Sequence, residues 1–274
     1  MTNSKLKIVY ITDRDPVNRW VIQEIAARFP PILSLIVDWS QAQSGGWQRP
    51  PLLQYVRHVL DSKTRDRINA NRDRWLAANM PHGITDLENE QVISPEALAE
   101  SQTVDQLSSL APDLIVVCGA PVLSQQVFAL PSIATINVHF GISSAYRGQH
   151  GIFFPLRDRN FEQLGATAHV VDAGVNTGPV LLEYFPSIAA SDHEFSLDMK
   201  MGVGIAEPIV NMLEQLEASD SRALSGLALA VSGKPIGFSD RSFMNSARHV
   251  ISGLLRRNKL PTREARTNSH YRIG

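Results

Sequence analysis

Apolar residues fall in short unbroken runs, separated by stretches in which they recur every three or four positions. The first run, Ile8, Val9, Tyr10 and Ile11, predicts a strand over 6–12 that is buried on both faces. Asp13-Arg14-Asp15-Pro16 follows and predicts a helix start, with Asp15 as the cap and Pro16 in the first turn. Val17, Trp20, Val21, Ile25 and Phe29 then stand at helical spacing. Pro30-Pro31 ends that helix, and Ile32 to Val37 predicts a second strand. Strand, helix, strand is the opening of an α/β sheet.

The pattern continues in the same alternation. Ser40 to Pro51 reads as a loop, and Pro51 to Met80 as a long charged helix with Leu53, Val56, Leu60, Ile68 and Trp75 on its inner face. Arg65, Arg67, Arg72 and Arg74 are expected on its solvated side. A short strand is expected near Ile84, a helix over 95–100, and a further helix running to Leu110. Asp113 to Cys118 is a strong buried strand, and Ile133 to His139 is the next. A helix over 151–159 leads to strands over 164–171 and 180–185. Leu197, Met201, Ile205, Ile209, Met212 and Leu216 mark one face of a long helix over 194–216. Short elements over 224–231 and 243–255 precede a polar tail.

Composition narrows the class. The chain has 274 residues, a formal net charge of −1 and one cysteine, Cys118. A generally basic nucleic-acid binder is not indicated, and a single thiol permits no internal disulfide and no cysteine-based metal cluster. No apolar signal core or membrane-length span is seen, so a cytoplasmic setting is expected. Charge is uneven, however: Arg241, Arg248, Arg256, Arg257, Lys259, Arg263, Arg266 and Arg272 face one acid, Glu264. This basic end could hold a phosphate, stabilise a homodimer or be a solvated tail.

The candidate chemistry lies between Ile133 and Leu182. Asn137 and His139 stand two apart in a strand, so both side chains share a face. Tyr146-Arg147-Gly148, Gly165-Ala166-Thr167-Ala168-His169 and Asn176-Thr177-Gly178-Pro179 follow. In order and spacing these motifs resemble the catalytic core of the folate-dependent formyltransferases. The resemblance implies an α/β fold with a Rossmann-like, doubly wound, mostly parallel sheet and a site at the strand C-terminal ends. It implies a catalytic domain over 1–220, with 221–274 as a short basic extension, helical in part.

The resemblance also implies roles. Asn137 donates to the oxyanion of formyl transfer, His139 supports it, and Asn176 stands where the family has its catalytic Asp. Thr167 and His169 match supporting positions, the former ordering a water. Asp172 is the nearest acid to substitute for the missing carboxylate. The formyl donor, 10-formyltetrahydrofolate, is expected against Gly119, Ala120, Pro121, Val122 and Leu123, and against Val171, Asp172, Ala173, Gly174 and Val175. No metal is expected, and the partner is a small-molecule primary amine, as in an amino sugar nucleotide or an amino-acid derivative.

Two acceptors are disfavoured. The loop Thr12-Asp13-Arg14-Asp15 lacks the glycines on which glycinamide ribonucleotide formyltransferases hold a phosphate. The stretch after 220 is short, which argues against initiator tRNA. Asn176 opens one alternative, because an amide cannot act as a base: a folate-binding homologue with weak or no transfer. The run Leu164-Gly165-Ala166-Thr167-Ala168-His169 resembles the formyltetrahydrofolate hydrolases and opens another, a hydrolase releasing formate.

Overall fold

The computed structural model describes residues 5–42, 52–220, 222–228, 235–237, 240–242 and 260–274. Its centre is an eight-stranded sheet. In chain order the elements begin with β1 (Ile8–Asp13), α1 (Pro16–Arg28), β2 (Leu33–Val37), α2 (Leu52–Asn79), β3 (Glu90–Ile93) and α3 (Ser101–Leu110). β4 (Leu114–Cys118), α4 (Gln125–Phe128), β5 (Ala134–His139), α5 (Phe153–Asp158), β6 (Ala166–Val170) and β7 (Val180–Phe185) follow. α6 (Glu194–Ala218), β8 (Leu224–Ser225), β9 (Arg266–Ser269) and β10 (Arg272–Ile273) come last among the described residues.

The sheet order is β3-β2-β1-β4-β5-β6-β7-β9. The first five strands run parallel and the last three pair antiparallel. Strand order reverses between β1 and β4, and the crevice outside their C-terminal ends is where such sheets bind ligands. Both faces are covered, which is why the parallel strands read as continuous apolar runs. Ile8 and Tyr10 of β1 join a core with α1 and with Met201, Ile205 and Ile209 of α6. Val9 and Ile11 join a second core with Leu107 of α3 and Val127 of α4.

Local expectations hold where local chemistry decides. Asp15 caps α1, its Oδ1 accepting from Val17 N at 2.9 Å and Asn18 N at 3.3 Å. The expected apolar face of α6 is buried throughout. Two expectations change. The strand expected near Ile84 lies at Glu90–Ile93, beside β2, and Ile84 is in an exposed loop. In α2, Leu76 is fully buried while Ile68 and Trp75 are half-buried. The packing of Leu53, Val56 and Leu60, and the short element expected over 243–255, lie outside the described residues.

The polar tail is built into the body. β9 pairs with β7, and β10 pairs with β8. Arg263 fastens it: Nη1 donates to the Phe161 carbonyl at 2.8 Å, and Nη2 to the carbonyls of Leu164 and Pro186 at 2.9 Å each. The strands were invisible as such because β9, Arg-Thr-Asn-Ser, is exposed along its length and carries no apolar alternation.

The segment 235–237 also returns to the body, as a strap. Ile236 N donates to the Arg147 carbonyl at 3.0 Å, and Gln149 N to the Ile236 carbonyl at 2.7 Å. Gly148 lies between them at φ +90°, where a Cβ would sit 2.3 Å from the Ile236 oxygen. Gly148→Ala therefore meets both backbone strain and a clash. We expect it to cost more than about 1 kcal/mol of stability, read as a lower urea midpoint. An unchanged midpoint would mean that the strap is not held there.

Candidate functional site

A cavity of about 590 Å³ opens at the C-terminal ends of β1, β4 and β5. One wall carries the motif residues. Asn137 and His169 are cross-strand partners on β5 and β6, so their side chains share a face. The pairing of β6 with β7 shifts register between Ala168 and His169, an irregularity of the kind that re-aims side chains beside sites. Asn137 Nδ2 lies 3.1 Å from His169 Nε2 and 3.4 Å from Asn176 Oδ1. Both hydrogens of the Asn137 amide thus have acceptors, which fixes its orientation.

Hydrogen bonds fix the ring tautomers as well. His169 Nδ1 lies 2.9 Å from the Val170 carbonyl and donates to it. Its Nε2 is therefore the lone-pair nitrogen facing Asn137. His139 Nε2 lies 3.1 Å from the Tyr146 carbonyl, so its single N–H is committed there and Nδ1 carries the lone pair. Gly141 allows this approach, since a Cβ on it would stand 2.6 Å from His139 Nε2. Burial pushes the pKa of His139 down to about 4 and lowers that of His169. Neutral His139 has one N–H, and the Tyr146 carbonyl holds it. Asn137 has two, and the one on the His169 lone pair is the donor this wall can turn to an oxyanion.

The low pKa of His139 has a stability consequence. The unfolded ring titrates near its ordinary 6.5 and the folded one near 4. As pH falls, the unfolded chain takes up the proton first. The stability associated with the neutral ring is whole above pH 6.5 and is lost between 6.5 and 4, by on the order of 3 kcal/mol. Urea unfolding at pH 7 and 4.5 should show a smaller acid loss in His139→Gln than in the parent. Equal losses would refute the assignment.

Asn176 adopts φ +51°, a left-handed conformation that Asn and Asp tolerate best. Asp172 Oδ1 accepts from Gly174 N at 3.0 Å and Thr177 Oγ1 at 2.6 Å, and so holds its own loop together. Thr167 is fully buried beneath the loop after β5: its Oγ1 donates to the Gly141 carbonyl at 2.8 Å and accepts from Ser143 N at 3.3 Å. Thr167 and Ala173 do not line the cavity, whereas Gly119 to Leu123, Val171, Asp172, Gly174 and Val175 do. Val122 is 76% exposed and Trp39 47% exposed at this cavity. Apolar side chains left open to a cavity suit a flat, largely apolar ligand.

The opposite wall comes from elements far apart in sequence. Arg72 of α2 pairs with Asp15 through Nη1 to Oδ2 at 2.6 Å and Nη2 to Oδ1 at 3.0 Å, and its Nε donates to Asp198 Oδ2 at 2.5 Å. The expected solvated role of Arg72 is thus corrected: α1 and α6 each present it with a carboxylate. Arg241 forms a second bidentate pair with Glu194 and lies 4.2 Å over the Phe153 ring. All five charged residues line the cavity, three carboxylates against two guanidiniums. Burial raises the Asp198 pKa to about 6, against the opposing pull of Arg72. Among the described residues no group of His, Cys, Asp or Glu is placed to hold a metal ion, and no helix is long and apolar enough to cross a membrane.

Sequence reasoning missed this wall. Its one local signal was Asp198, an acid next to Leu197 on the apolar stripe of α6.

Comparison with known proteins agrees with this architecture. A family model described as formyl transferase matches residues 58–203. The methionyl-tRNA formyltransferase of Methylacidiphilum infernorum is 30% identical over 147 residues, covering 53% of this chain and 46% of that protein. That of Legionella pneumophila strain Corby is 29% identical over 172 residues, covering 62% and 54%. The chain thus spans about half the length of these curated relatives. A 4-N formyltransferase from Francisella tularensis superimposes with TM-score 0.54 at 12% identity, over 89% of this chain and 86% of that one. Phosphoribosylglycinamide formyltransferase from Streptococcus pneumoniae gives TM-score 0.51 at 19% identity, over 77% and 98%. At these identities the structural likeness is one of fold.

Proposed function

The chain belongs to the formyl transferase family, and from that premise we propose that it moves a formyl group from 10-formyltetrahydrofolate to a primary amine of a small molecule. The observation that carries this reading is the Asn137 amide, held by two acceptors at one end of a cavity with a charged wall opposite. The cavity fits the donor. Its volume suits a ligand of that size, and Val122, Leu123, Val171 and Val175 supply apolar contact for a ring system. The bound donor would supply an activated formyl carbon. Asn137 turns an N–H to the oxygen on which negative charge develops.

The acceptor is argued from charge. Asp15, Asp198 and Glu194 outnumber Arg72 and Arg241 at the charged wall, and the end of β1 adds Asp13, half-buried and hydrogen-bonded to Asn18. That surplus attracts an ammonium and repels a phosphate. Of the two acceptor classes expected from sequence, it favours the amino-acid derivative over the more phosphate-rich amino sugar nucleotide.

The test is to mix the protein with 10-formyltetrahydrofolate and a panel of amines, and to follow tetrahydrofolate release by absorbance. Release that depends on one amine is the expected outcome. Equal release with no amine present would contradict the transferase reading and favour the hydrolase.

A further inference from the structure

With Asn176 in place of a carboxylate, the reaction needs another proton acceptor. We propose that His169 is the general base, through the Nε2 lone pair that it presents to Asn137. The proposal rests on the transferase reading above.

Three groups compete for the role. Asn176 is an amide and takes no proton. Asp172 has its Oδ1 occupied by two donors of its own loop. His139 bonds the Tyr146 carbonyl rather than Asn137, so its lone pair is not presented to the oxyanion donor. His169 is left, with the Val170 carbonyl fixing the proton on Nδ1 and the basic nitrogen 3.1 Å from the oxyanion donor.

That geometry couples the two roles. In the free protein one Asn137 N–H occupies the His169 lone pair. A formyl oxygen that takes this N–H releases the lone pair beside the reacting carbon. The acceptor nitrogen then bonds to the formyl carbon and gives its proton to His169 Nε2. The bond from that carbon to N10 of the donor breaks, N10 takes up a proton, and the neutral imidazole is regenerated. The site is therefore a base only when its oxyanion donor is in use.

The groups bearing on the ring are few. β5 brings His139, whose charge opposes that of His169, and the loop after β6 brings the Asn176 side chain and then Asp172, both of which favour the charged ring. β7 presents Val180 opposite it. Across the cavity stand the paired charges of Arg72, Asp198, Glu194 and Arg241. With burial dominant, the ring stays neutral through neutral pH, as a base must.

Two measurements test this. The first is ¹⁵N NMR of the histidine rings of the full chain without ligand. His169 should carry its proton on Nδ1 and titrate below 6.5, and Asn176→Asp should raise that midpoint. A proton on Nε2 at neutral pH would overturn the proposal. The second is turnover of 10-formyltetrahydrofolate with the amine panel. His169→Gln keeps an acceptor for Asn137 but takes no proton, so kcat should fall about 10²–10⁴-fold with little change in donor KM. The acid limb of the pH profile should vanish with it. His169→Ala should recover turnover with added free-base imidazole. Parent-like kcat and pH profile in His169→Gln would overturn the base role alone. A parent that releases no tetrahydrofolate with any amine would overturn the transferase reading, and the base role with it.

Discussion

Asn137→Ala should lower kcat by about 10²–10³-fold, the usual loss when one oxyanion donor is removed. The donor KM should change little, because the bond strengthens only as charge develops on the oxygen. The size follows from how the amide is held. His169 Nε2 at 3.1 Å and Asn176 Oδ1 at 3.4 Å orient both of its hydrogens, and only the one on His169 has to change acceptor when the oxyanion forms. His139, the other candidate donor, has its N–H on the Tyr146 carbonyl. No second donor of this wall covers the loss. Steady-state kinetics of parent and variant check it, and a variant as fast as the parent would remove Asn137 from the chemistry.

Arg72→Met should be the most damaging single change to stability, at about 3 kcal/mol, the lower end of the cost of breaking a buried ion pair. The lower end applies because Arg72 borders an open cavity and its side chain keeps 17% of its exposure. Asp198, at 8%, would be left as a buried charge without its partner. Its pKa already stands near 6 through burial and should climb without the guanidinium. The sign follows: a carboxyl whose folded pKa lies above its unfolded value gains stability as pH falls through the folded value. The variant should therefore recover part of its loss between pH 7 and 5. Asp198→Asn added to Arg72→Met should restore most of the remainder. Urea unfolding of the parent, both single variants and the double variant measures the coupling. Additive losses would show that Arg72 and Asp198 do not depend on each other.

The two walls of the cavity differ in how far the sequence disclosed them. Asn137 and His139 were legible because a strand places alternate residues on one face, and β5 is a strand with a clear apolar run. The loop after β4 was legible because parallel sheets build sites at strand C-terminal ends, whereas the loop after β6, an antiparallel strand, was legible only through the family motif. Arg72 was not. Within α2 it is one arginine among several, and only packing against α1 and α6 separates it from its exposed neighbours Arg67 and Arg74. Its partners Asp15 and Asp198 lie 57 and 126 residues away, a separation that no local pattern spans. The same limit hid Arg241, which the chain brings back to Glu194 from beyond α6. Thr167 is a different case. Its position in the motif was clear, but the loop that folds over its hydroxyl depends on Gly141 and Ser143 backbone geometry. The tail strands were hidden because β9 has no buried side chain to mark it.

The fate of the formyl carbon tests the central claim most directly. The protein should be given 10-formyltetrahydrofolate labelled with ¹³C in the formyl group, together with the amine panel, and the label followed by NMR. The account predicts that the label leaves the donor and appears as a formamide of one amine, with Asn137→Ala slowing its appearance. A label that appears as formate at the same rate with or without amine, or one that stays on the donor in every mixture, would contradict it.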